Sequence, residues 1–183
     1  MAVIADRPFQ DVPKNTEAAH LIPVELHPLQ LRTANFRPLS LADLDWLRDH
    51  ILAASELMKD PIFNRVMRTL DSVINVTHAG SGILIAWAAI EALLRPGQKQ
   101  ITDRVCKGLA TYLYAPGSER DRAYPKIVAS YLARGGAVHA GDTPEAEELG
   151  FAFALARRAV CTAIEQRALP DIDVLLVRWK ARQ

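Results

Sequence analysis

Between residues 82 and 94 the chain carries one charge, Glu91, and is otherwise built of glycine, alanine, tryptophan, leucine and isoleucine. Pro96 and Gly97 close the run. Wound as a helix, such a segment is apolar almost all the way round and has no face to offer water. It must be surrounded, which calls for amphipathic helices packed about it. The wider uncharged stretch 72–90 has the length to span a bilayer. Asn75, Thr77, His78, Gly80, Ser81 and Gly82 make it too polar for hydrocarbon. It reads as the end of one helix, a turn, and the start of a buried one.

The surrounding segments supply those helices. Ser40 followed by Asp43 has the form of a capping box, and Leu41, Leu44, Leu47, Ile51 and Leu52 then repeat at helical spacing. Pro61 suits a first helical position, ahead of a stripe of Phe63, Val66, Met67, Leu70 and Ile74. A fourth helix is expected over 98–114, with Ile101, Val105, Leu109 and Leu113 on one face. A fifth is expected over 119–134, with Tyr124, Ile127, Val128, Tyr131 and Leu132 inward and Pro125 near its start. The glycine pair Gly135-Gly136 opens an irregular stretch to Asp142. A sixth helix starts near Pro144, with Glu145, Glu147 and Glu148 where acids suit the dipole and Leu149, Phe153, Ala156, Val160 and Ile164 as its stripe. A short seventh covers 171–180. The expected architecture is an all-α helical bundle over 39–183, of about six to seven helices. Residues 1–38 hold five of the eleven prolines and read as an extended arm. In that arm Val24, Leu26, Leu29 and Leu31 suit a short strand or a path along the core. It packs on its own domain or binds a partner.

Bulk composition narrows the function classes. A length of 183 residues suits one domain with a sizeable core. Lys and Arg number 22 against 21 Asp and Glu, so any grip on nucleic acid must come from a local patch rather than from the whole surface. Cys106 and Cys161 form no CxxC pair, which argues against a disulfide framework or a thiolate zinc site. The first residues have no basic-flanked apolar run of the secretory kind. The expectation is a cytoplasmic protein with no membrane span.

No phosphate-binding glycine loop, HExxH, GxSxG or paired-carboxylate motif is present. Of His20, His27, His50, His78 and His139, only His139 has a suggestive neighbourhood, five residues after Arg134. A guanidinium binds phosphate oxygens through a planar fork, and an imidazole exchanges a proton near neutrality. Together they suit cleavage of an RNA phosphodiester, the base drawing the 2′-hydroxyl proton and the arginine neutralising the transition state, with no metal or other cofactor. Five residues on a continuous helix turn through about 140°, so the pair would point apart. The glycine pair is where the helix is expected to break and let them converge. A two-fold dimer could do the same with the second chain's pair. The simpler alternative places Arg134 on the free carbonyls of its own helix end. Glu91, on the face shared with Trp87, Ile90 and Leu94, requires a cation if buried. Arg134 and Arg104 are the candidates, unless Glu91 reaches solvent at the edge of the stripe.

Three pieces occur in order across 73–142. They are Ala86-Trp87-Ala88-Ala89-Ile90-Glu91-Ala92-Leu93-Leu94, a helix over 101–114 followed by Arg120 and Arg122, and Tyr131-x-x-Arg134-x-x-x-Val138-His139. This arrangement resembles the HEPN superfamily (higher eukaryotes and prokaryotes nucleotide-binding), in particular its Apea-like branch, and with flanking helices the resemblance extends over 40–166. It implies a helical bundle that forms a homodimer. It also implies metal-independent ribonuclease chemistry of toxin or defence systems, with Arg134 and His139 as the active pair. The chain departs from the family pattern at Gly135, where a polar residue is usual, and at Ala140, where glycine is.

Two functional readings follow, with a plain structural domain as a third. One is an endoribonuclease using Arg134 and His139, with Arg120, Arg122 and Lys126 lining a positive groove, unless those three are a solvated face balanced by Glu119 and Asp121. The other is a non-catalytic module that binds RNA, a nucleotide or a cognate protein partner. Near-neutral charge and Gly135 favour the second. Glu91 and Tyr131 are expected at the site in either case.

Overall fold

A computed structural model of the chain describes residues 2–5, 21–24, 40–76, 78–139 and 146–181. Among these residues the architecture is an all-α bundle of seven helices: α1 Leu41–Leu57, α2 Pro61–Ser72, α3 Ala79–Leu94, α4 Ile101–Leu113, α5 Ser118–His139, α6 Ala146–Gln166 and α7 Ile172–Lys180. Ahead of it, Ala2–Ala5 (β1) pairs antiparallel with Leu21–Val24 (β2), Ala2 opposite Val24 and Ala5 opposite Leu21. The rest of the proline-rich arm, with Leu26, Leu29 and Leu31, lies outside the described residues.

Local chemistry sets most helix ends. The Ser40 capping box closes α1 from both sides: the Asp43 amide donates to Ser40 Oγ at 3.2 Å and the Ser40 amide to Asp43 Oδ2 at 2.7 Å. Asp60 Oδ1 accepts from the Ile62 and Phe63 amides at 2.7 and 3.1 Å, with Pro61 at the first helical position. Asp171 Oδ1 caps α7 in the same way, through the amides of Asp173 and Val174.

Helix α3 is the axis of the bundle. It packs most extensively on α2 and α6, while α4 lies against α5 and α7. Ile83, Ala86, Trp87, Ala89, Ile90, Leu93 and Leu94 are all out of water, as an apolar helix requires. Close approach is secured by glycine at two crossings. A Cβ on Gly82 would sit 2.8 Å from Leu149 Cδ1 of α6, and one on Gly108 would sit 2.2 Å from Ile172 Cδ1 of α7.

The structure corrects several expectations. Helix α3 begins at Ala79 rather than 82, and α4 at Ile101 rather than 98, because Gln100 takes a left-handed conformation with φ of 50°. Pro125 lies inside α5, where it leaves the carbonyl of Asp121 without its helical donor. Most consequential, α5 does not end at Arg134; it runs through Gly135 and Gly136 to His139. Two glycines weaken a helix by about 1 kcal/mol each, which an established helix tolerates. Residues 140–145, including the expected start of the sixth helix at Pro144, lie outside the described residues. Leu132 is 59% exposed rather than inward. Leu41, Leu44, Leu47, Ile51 and Leu52, whose spacing marks α1 as a helix, are likewise exposed, and α1 turns Trp46, Ala53, Ala54 and Leu57 to the core instead. Among the described residues no helix is long and apolar enough to cross a membrane.

Candidate functional site

Two helices bring the expected side chains together. On α3, Trp87 and Glu91 are one turn apart and share a face. On α5, Ser130, Tyr131 and Arg134 are presented toward them. Trp87 is buried, its Nε1 donates to Ser130 Oγ at 3.3 Å, and its ring meets that of Tyr131 edge-on, with centroids 5.0 Å apart. This aromatic floor sets the height of α5 over α3. Above it, the Tyr131 hydroxyl donates to Glu91 Oε1 at 2.6 Å, and Arg134 Nη1 donates to the same oxygen. The Arg134 guanidinium also lies 4.9 Å over the Tyr131 ring. Of the two candidate partners for Glu91, Arg134 takes the place. Arg104 is engaged elsewhere, by Asp173 Oδ1 at 2.7 Å and the Pro96 carbonyl at 2.6 Å.

The ion pair is neither fully buried nor free in water. The Glu91 and Arg134 side chains are 25% and 29% exposed. Burial pushes the Tyr131 hydroxyl above the ordinary tyrosine range, and its bond to Glu91 adds to that, so it stays a proton donor. One Nη1 contact leaves Arg134 most of its five N–H donors for another acceptor.

A cavity of about 670 Å³ opens beside this cluster, between α2, α3 and α5. Arg134 and Glu91 line it from one side. Asn64, Arg65, Arg68 and Thr69 line it from α2, with Ile85 and Ala88 as its apolar wall. Arg65 and Arg68 are exposed, and neither is in an ion pair among the described residues. Among the described residues, three arginines therefore share one concavity with a single carboxylate, and that carboxylate is already committed to one of them.

Sequence reasoning missed Arg65 and Arg68. The signal was present in the polar spacing of α2: residues 64, 65, 68, 69 and 72 fall at intervals of three and four, opposite Phe63, Val66 and Leu70.

The other expected residues lie elsewhere. Arg120 is 5% exposed, and its guanidinium lies 4.9 Å over the ring of Trp179 in a different cavity. Arg122 and Lys126 are exposed on α5 and do not line the arginine-rich cavity. His139 is the last residue of α5, and its side chain lies outside the described residues. On one uninterrupted helix, positions 134 and 139 are separated by about 140° of rotation. His50 stacks on Trp46 at 4.6 Å and meets the Trp46 carbonyl at 2.7 Å, far from any chemistry. Among the described residues no cluster of three or more His, Cys, Asp or Glu is arranged to hold a metal ion.

Compared with known protein families, with curated proteins and with solved structures, the chain finds no match in any of the three.

Proposed function

We propose that the chain is a HEPN-like RNA-binding module that grips the RNA backbone in the cavity between α2, α3 and α5. Arg134 is its inner phosphate contact, and Arg65 and Arg68 are its rim. The observation that carries this reading is the gathering of three arginines on one cavity where, among the described residues, the one lining carboxylate is already paired. Guanidinium forks are suited to phosphate oxygens, and Glu91 with Tyr131 holds the inner one in place before ligand arrives. With a formal net charge of +1, the chain has no long-range field to attract a polyanion, so a local patch of this kind must do the work. The choice of RNA over another phosphate-bearing ligand rests on the resemblance over 73–142.

The salt dependence of binding tests it. Each phosphate neutralised on a single strand contributes a slope of about −0.7 in log K against log salt, so three contacts give about −2. Titration of a labelled single-stranded RNA should show that slope for wild type, flattened by about 0.7 in each of Arg65→Gln, Arg68→Gln and Arg134→Gln. Equal affinity and slope in all four proteins would overturn the proposal.

Cleavage is a second reading, and the course of α5 restricts its form. Because positions 134 and 139 diverge on one helix, an arginine and a histidine acting on one phosphodiester would be drawn from two copies of the chain. RNA degradation in EDTA, wild type against His139→Ala, measures this directly. Activity regained on mixing His139→Ala with Arg134→Gln would establish the shared site. Background cleavage by wild type would leave binding alone.

A further inference from the structure

Arg120 is the one buried charged residue among the described residues, and no acid meets it. Its Nε and Nη1 are out of water and have no hydrogen-bond partner. The ring of Trp179 lies 4.9 Å from the guanidinium carbon, which eases the charge but supplies no lone pair to the N–H groups. A desolvated guanidinium in this state is costly unless an acceptor completes it. It does not stand alone. The hydroxyls of Tyr112 and Thr111 are also out of water and unpartnered, and all three residues line one cavity of about 480 Å³ where the end of α4, the start of α5 and the end of α7 meet. Arg178, exposed in the last turn of α7, is a further lining residue, and no carboxylate is among the described residues that line the cavity. An adjoining hollow shares Thr111, Tyr112 and Arg178 and does carry Asp171, but that carboxylate is occupied in capping α7.

We propose that this cavity is a binding site for a small phosphate monoester, held by Arg120 and Arg178 with Tyr112 and Thr111 as hydroxyl donors. Arg120 is a cation that can only donate, and the two hydroxyls can turn their protons the same way, so an anion rich in acceptor oxygens satisfies all three. Charge separates phosphate from carboxylate. A phosphate monoester carries close to two negative charges at neutral pH and so matches two arginines, whereas a carboxylate carries one. The cavity is larger than a bare phosphate needs, and Tyr114 and Pro116 give an attached group an apolar surface to lie on. The site is separate from the Arg134 cavity. Arg120 and Arg134 are fourteen residues apart on α5, about 21 Å along the axis, and the two cavities share no lining residue.

Calorimetry on the full chain at constant ionic strength tests the proposal, with inorganic phosphate, adenosine 5′-monophosphate and acetate as probes. Phosphate and the nucleotide should bind and acetate should not. Arg120→Met should weaken phosphate binding about tenfold or more, as loss of a charge-assisted contact does. Arg178→Gln and Tyr112→Phe should weaken it less, and they keep the test decisive if Arg120→Met does not fold. Arg157→Gln, on the exposed face of α6, should bind as wild type does. Absence of phosphate binding at millimolar concentration overturns the proposal, as does acetate binding equally well. So does phosphate binding that is lost in Arg65→Gln or Arg68→Gln and kept in Arg120→Met, since that assigns the anion to the other cavity. Failure of this proposal leaves the RNA-binding reading standing, because that reading is tested by the salt slopes.

Discussion

Glu91 shows how one residue can announce a site from sequence. A carboxylate on an otherwise apolar helix must find a partner or an edge, and it finds both: Arg134 and a quarter of its surface in water. Because Tyr131 and Arg134 donate to one oxygen, removing either cation or anion strands the other. A double-mutant cycle on Glu91→Ala and Arg134→Ala should return a coupling of about 1–2 kcal/mol, read from urea unfolding of the four proteins. Additive losses would mean that the pair is not formed in solution. The partner was legible as one of two arginines. The choice between them was not, because Arg104 is removed by Asp173, 69 positions away. Arg120 was legible as basic and misread in place. Nothing in the run Glu119-Arg120-Asp121-Arg122 says that its first arginine turns inward beneath Trp179 while the second stays in water.

Helices were the most readable level, since their signals are local. Ser40 with Asp43, and Pro61, mark starts that the structure reproduces, and the segment expected from 171 begins at Ile172. The exception is the glycine pair of α5. Propensity argues for a break at 135, yet the helix continues, because glycine removes only a modest amount of stability from a helix already nucleated and packed over Ile127 and Tyr131. An alanine Cβ at 135 would meet nothing within 4 Å. Gly135→Ala should therefore raise stability, by up to about 1 kcal/mol, measurable as a higher urea midpoint. No gain would indicate that α5 breaks there. The exposed leucines of α1 teach a related lesson: a periodic stripe identifies a helix without telling which of its faces meets the core.

At the scale of the whole molecule, burial acts on the thiols and tyrosines in one direction. It pushes the Cys106 thiol up to about 12 and raises Tyr112, Tyr124, Tyr131 and Cys161. The folded chain thus holds protons that the unfolded chain releases from about pH 9 upward, where an ordinary thiol ionises, and more steeply past 10 for the tyrosines. Stability should be level below that window and fall through it as pH rises. Urea midpoints between pH 7 and 11 check this, and Tyr131→Phe should remove part of the fall. The sequence alone determined that the chain is a helical bundle around residues 82–94, where most helices start, and that Glu91 needs a cation or an edge, because capping, periodicity and the cost of an unpaired charge act over one or two turns. Tertiary packing alone decided that Arg65 and Arg68 join Arg134 at one cavity and that Arg120 lies buried at another. Which residues meet across helices depends on rotations and crossings set by the close approaches at Gly82 and Gly108, to which the whole core contributes at once.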